Sequence, residues 1–177
     1  MASRPPPPMR RIVTFHNDKA EASIASDTTI SPKQEPHSAA FVNLWSSDTS
    51  PADVSSPEDK GLRETGFVPT GSVVRIVDLP PHSAPLLHRS ISLDYIVVQK
   101  GTVGLVLDDG SRTEVREGEL VVQQATMHGW ENATDGWVRL FCVMLPAAPP
   151  VVGGRELGPD LSFMDGTAPG AGGADAH

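Results

Sequence analysis

Between Ser72 and Leu145 the chain is written in short apolar runs, each too brief for a helix and each closed by a turn signal. The runs are "SVVRIVDL" (72–79), "LDYIVVQK" (93–100), "TVGLVLDD" (102–109), "RTEVRE" (112–117), "ELVVQQ" (119–124), "HGWEN" (128–132) and "WVRLFCVML" (137–145). Between them stand "PPHSAP", "KG", "DDGS", "EG", "AT" and "ATDG". No stretch of helical length repeats its apolar positions at a period near 3.6. Short strands joined by tight Gly and Asp-Gly turns predict an all-β domain, a small antiparallel β-barrel or sandwich.

Upstream, "RIVTF" (11–15) and "AAFVNLW" (39–45) are strand-like islands, while 17–38 and 46–66 are dominated by Ser, Asp, Glu, Lys, Pro and Thr. An isolated strand is marginal in water, so both islands are expected to join the edge of a larger sheet, in the same subunit or a neighbour. A homodimer is the corresponding expectation. The chain then divides into a partly disordered N-terminal arm, 1–37, with an edge strand near 11–15; a barrel, 38–148; and a disordered tail, 149–177. The tail ends "GTAPGAGGADAH" and carries too little apolar surface to order itself.

Composition narrows the partners. A chain of 177 residues has room for one domain with a core, and 38% apolar residues with 17 Pro and 16 Gly fit a core with extended ends. The net charge of −8 opposes unaided binding to nucleic-acid phosphates or anionic lipid, which need clustered Lys and Arg. No run approaches the roughly 20 apolar residues that cross a bilayer, and "MASRPPPPMRR" lacks the apolar core of a secretion signal. A cytoplasmic protein acting on a small molecule is expected. The single cysteine, Cys142, lies in the apolar run "VRLFCVML" and reads as a buried inert thiol; it excludes an intramolecular disulfide and a cysteine-based zinc site.

The chemistry concentrates in "HRSISLDYIVVQKG" (88–101). Strand alternation puts Asp94 on one face with Ile96 and Val98, and Leu93, Tyr95 and Val97 on the other. Both faces are apolar, so Asp94 is expected to be buried, where a carboxylate needs a hydrogen bond, a cation or a raised pKa. His88 and Ser90 precede it, and His128 follows the strand "ELVVQQ".

This spacing resembles the cupin superfamily. In the first cupin motif, G-x5-H-x-H-x3,4-E-x6-G, His82 stands at the opening Gly, His88 at the first His, Ser90 at the second, Asp94 at the Glu and Gly101 at the closing Gly. In the second motif, Gln123, Ala125, His128 and Asn132 stand at the Pro, Gly, His and Asn, preceded by Gly118. "LLHRSISLDYIVVQKGTVGLVLDDG" and "GELVVQQATMHGWEN" are similar to small single-domain cupins of bacterial and fungal polyketide clusters.

The resemblance implies a cupin jelly roll with polar residues gathered in its mouth around one divalent metal. It assigns His88, Asp94 and His128 as ligands and catalytic groups, and the ion as Fe, Mn, Zn or Ni. Ser90 leaves the set one histidine short, unless Gln123 or Gln124 supplies an oxygen. Arg89, Ser90 and Gln123 are the candidate substrate contacts, Arg89 for a carboxylate or phenolate. Without an ion, His88 and Asp94 could hydrogen-bond to fix the mouth. The expected activity is of the lyase type (decarboxylation, dehydration or cyclisation) on a small oxygenated, polyketide-like metabolite in secondary metabolism. A metal-dependent dioxygenase and a non-catalytic ligand-binding cupin are the alternatives. Tyr95 and Trp130 are expected to pack the core, and His82 to be a plain loop residue.

Overall fold

The computed structural model describes residues 4–33, 39–67 and 69–165. All the apolar runs between 72 and 145 are strands. β1 (Met9–His16) and β2 (Ala22–Ile30) form a hairpin; β3 (Ala40–Ser46), β4 (Val73–Leu79), β5 (Ser92–Lys100), β6 (Thr102–Leu107), β7 (Arg112–Arg116), β8 (Leu120–Gln124), β9 (His128–Glu131) and β10 (Val138–Pro146) follow. A five-stranded antiparallel sheet, ordered β3-β4-β10-β5-β8, and a three-stranded one, β7-β6-β9, make the jelly roll. Turn chemistry sets the hairpins: Gly110, at φ 82°, closes β6 to β7 with its N–H donating to Leu107 O at 3.1 Å.

The two sheets bury a common core of Leu79, Ile96, Val98, Val103, Val115, Val138, Leu140 and Cys142, with Leu105, Val121 and Trp130 packed against it. Its members alternate along each strand, as the period-2 pattern predicts. Asp94 shares the inner face with Ile96 and Val98 and is 4% exposed. The outer face of β5 is more open than its apolar residues suggest: Tyr95 is exposed, opposite exposed Val122 on β8. Tyr95 therefore packs no core, because no second layer covers this side of the sheet edge.

The N-terminal arm differs from its reading in one respect. β3 joins the edge of the large sheet, as expected, but β1 pairs with the polar segment Ala22–Ile30 rather than with that sheet. Met9 and Ile30 pack against Leu44 and Ile76, forming a second core on the outer face of the large sheet. A buried pair holds the arm there. Arg139 donates from Nε and Nη2 to Asp78 Oδ1 and Oδ2 at 2.6 and 2.7 Å, and from Nη1 to Pro7 O at 2.6 Å.

The tail is ordered further than its composition suggests. Val151–Val152 (β11) pairs with Arg155–Glu156 (β12), and Ser162–Asp165 makes a 3-10 turn. Arg89 and Asp160 exchange backbone hydrogen bonds of 2.8 and 2.9 Å, which tie this segment to the barrel. Residues 166–177, which carry the Gly-rich end, lie outside the described residues.

Candidate functional site

The cupin motifs are written in the backbone. The positions of their glycines, His82, Gly101, Gly118 and Ala125, all take positive φ, at 56°, 85°, 85° and 48°. The left-handed conformation is thus kept even where a side chain replaces glycine, at some steric cost. His82 itself is an exposed loop residue whose Nε2 meets Asp135 Oδ1 at 2.9 Å. Asn132 is fully buried and donates to Leu79 O, Pro80 O and Gly136 O at 3.2, 2.9 and 2.8 Å. It also accepts from Thr134, so it fastens the β9–β10 loop to the end of β4.

His88 and His128 face each other. Their backbones exchange hydrogen bonds of 2.9 and 3.0 Å, and their ring centroids are 4.4 Å apart. The close approach depends on Gly129: a Cβ there would meet Pro85 Cβ at 3.0 Å and the Leu86 carbonyl at 3.3 Å. His88 Nδ1 lies 2.9 Å from Leu86 O, and His128 Nδ1 lies 3.1 Å from Thr126 O. A carbonyl oxygen only accepts, so each Nδ1 carries the proton and each Nε2 keeps its lone pair. Burial lowers both pKa values; His128, with His88 beside it, is pushed down to about 4. Both rings are neutral bases at neutral pH.

Asp94 is separate from this pair. It makes no hydrogen bond to His88, and its Oδ1 is buried without a partner. Desolvation pushes its carboxyl up to about 6, with Ser92 and Arg75 pulling partly the other way. Two free imidazole nitrogens suit a divalent ion. Among the described residues, no three His, Cys, Asp or Glu side chains stand close enough to hold one metal ion. Of the three ligands that the family resemblance implies, the structure brings His88 and His128 together.

The remaining candidates have other engagements. Ser90 is buried and accepts from Ser92 Oγ at 3.1 Å. Gln123 is buried beside Asp94 in the strand register, with its amide N–H groups committed to Thr126 O at 2.8 Å and to Thr126 Oγ1. Arg89 turns toward the tail, reaching Gly158 O at 3.4 Å. Trp130 packs on the core and edge-on to His128, and burial pushes the Cys142 thiol up to about 12, leaving it inert.

Sequence reasoning missed Arg75, Phe67 and Phe163. Arg75 is 4% exposed on β4, alternating with Val77 and Leu79, so strand periodicity marks it as inward. Phe67, from the β3–β4 connection, and Phe163, from the tail, meet each other at 5.8 Å and His88 at 6.0 and 5.4 Å. Nothing in their local sequence distinguishes them, because their partner is far away in the chain. A cleft of about 580 Å3 lies between the N-terminal hairpin and the β3–β4 connection. Its charged groups are already paired, Arg11 with Asp59 and Lys60 with Asp48, so it offers no comparable reactive set.

The chain is 30% identical over 173 residues to the cupin-domain-containing oxidoreductase virC of Hypocrea virens, spanning 91% of this chain and 86% of that protein. It belongs to the cupin superfamily. This cupin is also 37% identical over 138 residues to phomopsin biosynthesis cluster protein D of Diaporthe leptostromiformis, spanning 73% of each chain. Among solved structures it resembles the cupin domain of Schizosaccharomyces pombe Cnp3, with a TM-score of 0.51 at 8% identity, over 77% of this chain and 87% of that one. That likeness concerns the fold alone. No protein-family profile matches the chain. Among the described residues, no helix is long and apolar enough to cross a membrane.

Proposed function

We propose that this cupin is an enzyme of secondary metabolism that performs lyase-type chemistry on a small oxygenated metabolite at the His88–His128 pair. The observation that carries the reading is the fixed tautomer of both rings: each Nδ1–H is held by a backbone carbonyl, so each Nε2 is a ready base. Such a base removes a proton next to a carbonyl, and the imidazolium so formed returns it to a departing hydroxyl, with loss of water. Cyclisation uses the same base step through an enolate, and decarboxylation runs it in reverse, a histidine protonated from solvent giving that proton to the carbanion left by CO2. Burial keeps both imidazoles neutral, and the Asp94 carboxyl, raised to about 6, has a pKa suited to proton exchange near neutral pH. Ser90 and Gln123 shape the mouth. The biosynthetic-cluster names of the relatives support the setting in secondary metabolism.

The test is exchange of substrate-derived C–H protons with D2O, using β-hydroxy ketone probes without oxygen. The wild type is expected to catalyse exchange, and His128→Ala to lose about 100-fold or more, the usual scale for a general base. Equal exchange by both proteins would overturn the reading.

A second reading is favoured by one observation, the oxidoreductase in the names of several relatives. Stoichiometric O2 consumption during turnover, read with an oxygen electrode, would establish it in place of the first. For assembly, exposed Tyr95, Leu120 and Val122 on the β5–β8 edge support a homodimer through that face. Sedimentation of the wild type against Val122→Lys checks this.

A further inference from the structure

Arg75 is a buried guanidinium that makes no salt bridge among the described residues, with Asp94 within electrostatic range as its neighbouring carboxyl. Its Nη2 donates to Gly66 O at 2.8 Å and, weakly, to Thr65 Oγ1 at 3.5 Å, while its Nε has no partner at all. The contrast is Arg139, which is equally buried and spends its donors on Asp78 and Pro7. Burying a guanidinium costs several kcal/mol unless its donors are filled, so a further acceptor at Arg75 Nε would lower that cost.

Its surroundings say what that acceptor is attached to. The guanidinium lies 5.2 Å from the Phe41 ring and 5.6 Å from the Phe67 ring, and Phe67 in turn meets His88. One aromatic side chain thus connects the cation to the reactive pair. Asp94, whose Oδ1 also lacks a partner, is the neighbouring acid.

We propose that Arg75 is the substrate's oxyanion anchor: it takes a carboxylate or phenolate oxygen of an aromatic or enolisable acid. The substrate's ring then lies against Phe67, and its reacting carbon is presented to His88 and His128. This rests on the function proposed above, and adds to it the substrate class, an anionic ring or enol acid. It also moves the anchoring role from Arg89, whose Nε is likewise unpartnered but whose Nη1 reaches the tail, to Arg75, which lies over the Phe67 ring beside His88.

Benzoate and benzamide, equal in size and different in charge, are the probes, titrated into the full chain by calorimetry or ligand-observed NMR. The wild type is expected to bind benzoate at least about 10-fold more tightly, equivalent to about 1.4 kcal/mol. Arg75→Gln should lose that preference while still binding benzamide, Arg75→Lys should keep part of it, and Arg89→Gln should keep all of it. Equal binding of the two probes by the wild type, or a preference that survives in Arg75→Gln, would overturn the proposal. The wild-type ratio needs no variant and decides the matter even if Arg75→Gln does not fold. Retained proton exchange in His128→Ala would sink the reaction at the histidine pair while the benzoate preference stands. Lost exchange without a benzoate preference would sink Arg75 alone.

Discussion

His88 and His128, forty residues apart, pair as an isolated antiparallel bridge between a loop and a strand, with their ring centroids 4.4 Å apart. Gly129 allows the approach, since any side chain there runs into Pro85 and Leu86. Gly129→Ala is expected to destabilise the protein by about 1–3 kcal/mol, the usual cost of overpacking. It should also lower activity by moving His88 off its partner. Urea unfolding and proton exchange, measured together, check both; an unchanged variant would show that the loop yields freely.

Asp94 and His128 oppose each other in the pH dependence of stability. Asp94, raised to about 6, contributes stability below the ordinary carboxylate pKa of 3.8 that is lost as pH rises through about 6. His128, lowered to about 4, contributes stability above its ordinary 6.5 that is lost as pH falls through about 4. Between about pH 4 and 6 the two slopes offset each other. Asp94→Asn removes one of them, so its stability should rise with pH more steeply than the wild type's. The accumulated difference is up to about 3 kcal/mol at roughly 1.4 kcal/mol per pKa unit. Denaturation at several pH values measures it.

Metal binding separates the histidines from Asp94. Added Zn2+ is expected to raise the thermal midpoint of the wild type, and His128→Ala should abolish the shift, because Nε2 of each ring is free to ligate. Asp94→Asn should retain most of it. A loss in Asp94→Asn equal to that in His128→Ala would put Asp94 among the ligands.

The Arg139–Asp78 pair is 4% and 0% exposed. Arg139→Met removes one member of this buried pair, at a cost of about 3–5 kcal/mol. Cleavage by protease near Pro7 should accelerate in the same variant, since the arm loses its anchor.

Phe163 covers one side of His88. Phe163→Ala is expected to admit water and let the His88 pKa climb back toward its ordinary 6.5, because desolvation is the main cause of its lowering. NMR titration of the ring protons reads this directly. Stability should fall by less than about 1.5 kcal/mol for a half-buried ring.

The sequence by itself determined the barrel. Strand alternation is local, so the inward placement of Asp94, Ile96 and Val98 followed from period 2, and the turn residues marked the hairpins. Motif spacing likewise located His88 and His128. The strand Ala22–Ile30 was hidden, because its polar residues gain their order only from pairing with β1. Only the tertiary structure decided which groups meet. It joined the two histidines and held Asp94 apart from them. It spent Arg89 on the tail, left Arg75 open inside, and brought Phe67 and Phe163 over His88. Such contacts cross long stretches of chain, and their energy comes from burial and desolvation, which no local pattern encodes.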